Sequence, residues 1–81
     1  MKWVKHNENI SPYMRRSIGD RLYKARREKH LTQMEVALDT GICMVTISKY
    51  ETGMRVPTLG HLILLAEYYG VSSGWLIGEV G

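Results

Sequence analysis

The chain holds a single cysteine, Cys43, so no internal disulfide can form. A reducing compartment suits such a chain, and a cytoplasmic protein is expected. Long apolar runs are missing too. The longest, Leu62 to Ala66, falls far short of the roughly 20 residues that span a bilayer, so no membrane association is expected. Lys2, Lys5, His6 and Asn7 near the start are followed by no apolar stretch that would serve as a secretory signal. His6, His30 and His61 are isolated, and one cysteine makes no zinc spacing, so no metal site is expected. No glycine-rich phosphate loop, paired carboxylates or nucleophile elbow is present. A non-enzymatic protein without cofactor or small-molecule substrate is the expectation. No segment alternates with period two for long enough to argue a strand.

What is there is one small domain. A chain of 81 residues buries only about two thirds of its unfolded surface, so modest stability is expected. The net charge of +3 is mild but uneven. All eleven Lys and Arg lie at or before Arg55, where they face six acids, a net +5 for residues 1–55. Residues 56–81 hold two acids and no Lys or Arg, a net −2. The split suits a basic face for a polyanion and a tail with another task, although a merely solvated surface would draw lysines as well.

Residues 1–10 are polar and unpatterned, and a flexible arm is expected there, with the folded domain over residues 11–81. Ser11 can cap a first helix with Pro12 at its first position, where a missing N–H costs nothing. Met14, Ile18, Leu22 and Ala25 then form one apolar stripe ending near His30. Gly19 weakens that helix, so Ser17 is an alternative start. Thr32 and Glu35 form a capping box for a second helix, with Leu31 and Val36 as hydrophobic staple and Gly41 as its stop. A third helix runs from Met44 to Glu51, with Ile47 and Tyr50 toward the core and Gly53 at its end. Pro57 and Thr58 open a fourth, with Leu59, Leu62, Ile63, Ala66 and Tyr69 at helical spacing and Gly70 closing it. Ser72 or Ser73 caps a short fifth containing Trp75, Leu76 and Ile77. The fold class is therefore all-α, a compact bundle of five short helices.

The informative stretch is Gln33 to Tyr50. Two helices that cross at roughly 90–120° over a tight turn need a small residue where they touch and a left-handed residue in the turn. Ala37 and Gly41 supply these, and Ile47 and Tyr50 anchor the second helix. This is the spacing of a helix-turn-helix.

The resemblance extends well beyond that unit. Ile18-Gly19-Asp20-Arg21-Leu22 through Arg26-Arg27-Glu28, Leu31-Thr32-Gln33, Ile47-Ser48-Lys49-Tyr50-Glu51-Thr52-Gly53, Pro57-Thr58-Leu59 and Leu65-Ala66-Glu67 resemble the phage repressor and Cro-like helix-turn-helix family. It is also called the xenobiotic-response-element type, with a lambda-repressor-like domain. Gly70-Val71-Ser72 and Trp75-Leu76-Ile77-Gly78 continue the match over about residues 17–79. The resemblance implies a sequence-specific transcriptional regulator, expected to repress, that places its third helix in the major groove of double-stranded DNA. It implies base contacts from Met44, Val45, Ser48 and Lys49. Backbone contacts would come from Gln33, Thr32, Cys43, Thr46 and Arg55, and Arg26 and Glu51 would bridge the first and third helices.

Lys49 could donate to guanine O6 or N7, and Met44 and Val45 could pack on thymine methyls. Many relatives carry glutamine, serine or arginine at the positions of Met44 and Val45. The two apolar residues fit methyl readout, an unusual site, or a surface that meets protein. Leu38, where a polar residue is usual, and Thr40, where an apolar one is usual, are further departures. Cys43 stands where a capping residue is usual.

Tyr68, Tyr69, Trp75, Leu76, Ile77 and Val80 in the lysine-free tail exceed what two short helices need for their own core. A homodimer through residues 56–81 is therefore expected. Two other function classes fit the same residues: an antitoxin that binds DNA and a toxin, and a protein-interaction module that kept the fold without DNA binding.

Overall fold

A computed structural model describes residues 11–79. Five helices follow in order: α1 (Pro12–Glu28), α2 (Gln33–Thr40), α3 (Met44–Glu51), α4 (Leu59–Tyr69) and α5 (Ser73–Leu76). The all-α expectation holds, and no strand occurs among the described residues.

Local chemistry sets most of the helix ends. The Ser11 hydroxyl accepts from the Met14 amide at 3.2 Å and Pro12 occupies the first helical position, so α1 begins there and not at Ser17. The capping box of α2 is complete: the Glu35 amide donates to Thr32 Oγ1 at 3.1 Å, and the Thr32 amide donates to Glu35 Oε1 at 2.8 Å. Thr58 caps α4 through the His61 amide, and Ser72, not Ser73, caps α5 through the Trp75 amide. α1 ends differently. The Leu31 amide donates to Arg26 O and the His30 amide to Arg27 O, which is the Schellman pattern. Its left-handed position, usually glycine, is held by His30 at φ 58°.

α1 packs on α3 and α5, α2 on α3 and α4, and α4 on α5. One core joins them: Ile18, Leu22 and Ala25 of α1, Val36 of α2, Ile42 in the turn, Ile47 and Tyr50 of α3, Leu65, Ala66 and Tyr69 of α4, and Leu76 of α5. Arg21 ties α1 to α5, donating through Nη1 to Trp75 O at 2.6 Å with its guanidinium over the indole ring. Tyr68 on α4 donates to Asp39 on α2 at 2.6 Å, and that bond pushes the phenol up to about 12.

Four sequence expectations need correction. Met14 is exposed and lies outside the core that the rest of the α1 stripe enters. Leu59 and Ile63 are exposed, whereas Leu65 is buried, because α4 turns its Leu65–Ala66–Tyr69 face inward. Ile77 is the C-cap of α5 and is exposed. Gly19 does not interrupt α1. It is buried where α1 crosses the end of α3, and a Cβ there would lie 2.5 Å from Tyr50 O and 2.7 Å from Glu51 O. Glycine stands there because two backbones approach closely.

Candidate nucleic-acid interface

α3 divides its residues between two faces. Ile47 and Tyr50 are buried, and the Tyr50 hydroxyl meets His61 Nδ1 of α4 at 2.6 Å. Glu51, at the C-terminal end, lies in a polar cluster beneath the helix-turn-helix. Arg26 donates through Nε to Glu51 Oε2 at 2.7 Å and through Nη2 to Oε1 at 2.9 Å, and its Nη1 reaches Leu31 O at 2.8 Å. Both side chains are almost fully enclosed, at 9 % and 5 % exposure. The Glu51 hydrogen bonds hold the Arg26 guanidinium above its ordinary value, against the opposing pull of burial. Tyr23 covers the same guanidinium at 5.3 Å. The bridge between first and third helices is thus bidentate and buried, the geometry in which both charges need each other.

Gln33 joins this cluster. Its Nε2 donates to Glu51 Oε1 at 3.0 Å, a link that no local spacing in the sequence announces. The first residue of α2 is therefore fixed to the last residue of α3, and the two helices are locked at both the turn and the open end. Beside Gln33 lies a concavity of about 350 Å³ lined by Arg26, Arg27, His30, Leu31, Thr32 and Gln33. It lies at the N-terminus of α2, where helix amides and partial positive charge favour an anion.

The opposite face of α3 meets solvent. Met44 is 41 % and Val45 57 % exposed. Thr46, Ser48 and Lys49 are half-buried, and neither the Ser48 hydroxyl nor the Lys49 ammonium is engaged by another described residue. Cys43 is exposed and gives α3 no side-chain cap bond, so no side chain among the described residues accepts from the first-turn amides. After α3, the Met54 and Arg55 amides both donate to Lys49 O, which folds the loop back on the helix end and leaves the Arg55 side chain exposed. Arg15 of α1 braces this loop through Nε to Gly53 O at 3.3 Å. That brace joins positions 38 apart in sequence, and nothing local could have revealed it.

The helix-turn-helix family profile matches residues 22–76, from α1 through α5. The chain belongs to that family. This helix-turn-helix protein is 42 % identical over 59 residues to the uncharacterized HTH-type transcriptional regulator y4dJ of Sinorhizobium fredii, covering 73 % of this chain and 77 % of that one. It is 36 % identical over 63 residues to the HTH-type transcriptional regulator ImmR of Bacillus subtilis, covering 78 % and 50 %. It is 33 % identical over 62 residues to the cryptic phage CTXphi transcriptional repressor RstR of Vibrio cholerae, covering 76 % and 55 %. The chain thus spans about half the length of the last two relatives. No helix among the described residues is long and apolar enough to cross a membrane, and no three or more His, Cys, Asp or Glu side chains among them are grouped so as to hold a metal ion. The expected arm over residues 1–10 lies outside the described residues, as does Val80.

Proposed function

We propose that this helix-turn-helix protein is a sequence-specific DNA-binding regulator that represses by occupying promoter DNA. α3 lies in the major groove, with Met44, Val45, Ser48 and Lys49 at the base edges. The observation that carries this reading is the division of α3. Its buried face is fastened by Ile47, Tyr50 and the Arg26–Glu51–Gln33 cluster, which leaves the other face free for a partner. The regulators and the repressor to which the chain is similar support the same reading.

Backbone contacts come from Thr32 and Gln33 at the α2 N-terminus, Cys43 and Thr46 at the start of α3, and Arg55 after it. The uncapped first turn of α3 suits phosphate oxygens as well as groove edges. Two copies bind as a dimer through residues 56–81, but not through most of the side chains that the sequence singles out. Tyr69 and Leu76 are core residues, and Tyr68 and Trp75 pack against that core. The exposed apolar side chains there are Leu59, Ile63, Leu64 and Ile77. A two-fold pair sets its recognition helices about 34 Å apart, one turn of DNA. The protein does its work in the cytoplasm without enzymatic activity.

Selection of bound duplexes from a random library at physiological salt tests the DNA reading and the dimer. The expected product is a near-palindrome whose half-sites lie about one helical turn apart. Enrichment of a single half-site would remove the dimer and keep the reader. A folded protein that enriches nothing would overturn the DNA-binding reading.

A further inference from the structure

The most exposed part of the proposed reading face is apolar, and this restricts what it can recognise. Met44 and Val45 are the first two residues of α3, at the end of a recognition helix that reaches base edges. Val45 has neither donor nor acceptor, and the Met44 thioether is only a weak acceptor. Against a base edge that offers hydrogen-bonding groups, either side chain would displace water and leave those groups unpaired. The major groove carries one apolar group, the methyl on C5 of thymine. A cytosine methylated at C5 presents the same methyl at the same ring position.

We propose that Met44 and Val45 read C5-methyl groups of pyrimidines in the major groove, an inference that rests on α3 being the recognition helix. The two side chains divide the task. Val45 is β-branched and short, so it has few rotamers and presents a compact surface that a methyl either fills or leaves open. Met44 is unbranched and adapts to a methyl over a range of positions. Ser48 and Lys49 lie one turn further along α3 and supply the polar contacts, so each half-site carries a methyl-bearing pyrimidine next to a base pair read by hydrogen bonds. Thymine makes the methyl part of the sequence, whereas 5-methylcytosine would make it a removable mark.

The test uses the whole chain and the duplex it selects from a random library. Each thymine of a half-site is replaced in turn by deoxyuridine, which removes the methyl and keeps every hydrogen-bonding group. Affinity is expected to fall about four-fold at one or two positions, the effect of leaving one methyl-sized group unburied. Val45→Ala should reduce the thymine–deoxyuridine difference at one of those positions, and Met44→Ala should reduce it at the other. Both side chains are exposed, so helical circular dichroism should be unchanged. At the sensitive position, a 5-methylcytosine–guanine pair should bind more tightly than cytosine–guanine. Equal binding there would overturn recognition of the methylated mark and confine the reading to thymine. Equal binding of thymine and deoxyuridine duplexes everywhere would overturn methyl reading while leaving α3 as recognition helix. Sensitivity that survives both substitutions undiminished would overturn the assignment to these residues. A library with no enriched sequence would overturn the DNA-binding reading itself.

Discussion

The two faces of α3 differ in what they require of their surroundings. The inner face is tied to everything around it: Ile47 and Tyr50 to the core, Tyr50 to His61, and Glu51 to Arg26 and Gln33. The outer face touches little, and Met44, Val45 and Arg55 are exposed. Substitutions on the inner face should therefore change stability, with DNA affinity following only through the folded fraction. Those on the outer face should change affinity at constant stability. A helix that reads DNA needs both, because a fixed inner face makes the outer one a rigid probe.

The largest effect should come from Glu51→Ala. It leaves the buried Arg26 guanidinium without its bidentate partner and Gln33 without its acceptor. Removing one member of a buried pair costs about 3–5 kcal/mol, a large share of the stability of a chain this short. Urea denaturation should show the midpoint collapsing. A change below about 0.5 kcal/mol would mean that water replaces the carboxylate, and the cluster would then not fasten α3.

Gly19→Ala probes the same face from α1. The added Cβ would meet Tyr50 O and Glu51 O well inside contact distance, and both are backbone atoms. The gain in helix propensity of about 1 kcal/mol is outweighed, and a net loss of about 1–3 kcal/mol is expected in the same denaturation experiment. A stabilised variant would show that α1 and α3 can separate without cost, and the inner face would lose its claim to rigidity.

This glycine also shows where sequence reasoning stops. Helix ends could be read because their causes are local: Ser11 with Pro12, Thr32 with Glu35, Thr58 and Ser72 each act within a turn. Ile47 and Tyr50 as anchors followed from the spacing of the turn. Gly19 reads as a weak point in a helix because the backbone that excludes a side chain there belongs to α3, more than thirty residues on. On α4, the run Leu59 to Tyr69 is apolar on several sides, so helical period alone admits both the Leu59–Ile63 stripe and the Leu65–Tyr69 stripe. Only the positions of the helices packed around α4 select between them. The Gln33–Glu51 and Arg15–Gly53 links join distant segments through side-chain length and direction, which composition does not encode. The exposed residues of α3 were legible by elimination, since Ile47 and Tyr50 take the core.

The outer face is tested by pairing Lys49→Ala with Arg55→Ala. Neither should change the free energy of unfolding by more than about 0.5 kcal/mol. Lys49→Ala should cost about 1–3 kcal/mol of binding on the selected operator and little on unrelated DNA, since a base contact is lost. Arg55→Ala should weaken both duplexes equally and lower the slope of log affinity against log salt by about 1. If the two behave alike, the division between base and backbone contacts is wrong.

The smallest effect, and the one that asks whether the turn between α1 and α2 takes part in binding, belongs to His30. It sits in a left-handed conformation that costs an ordinary residue about 1–2 kcal/mol, at the junction where α1 turns toward the α2 N-terminus. His30→Gly removes that strain and adds the flexibility of glycine to the unfolded chain, for a net gain of about 0.5–1 kcal/mol. The ring also lines the concavity shared with Arg27, Thr32 and Gln33. If His30 only shapes the turn, the glycine variant should be more stable and bind the operator as before. If its ring meets the DNA backbone, the variant should be more stable and yet bind every sequence more weakly. That combination would place the strain at a binding position, where a less comfortable residue is kept for what its side chain touches.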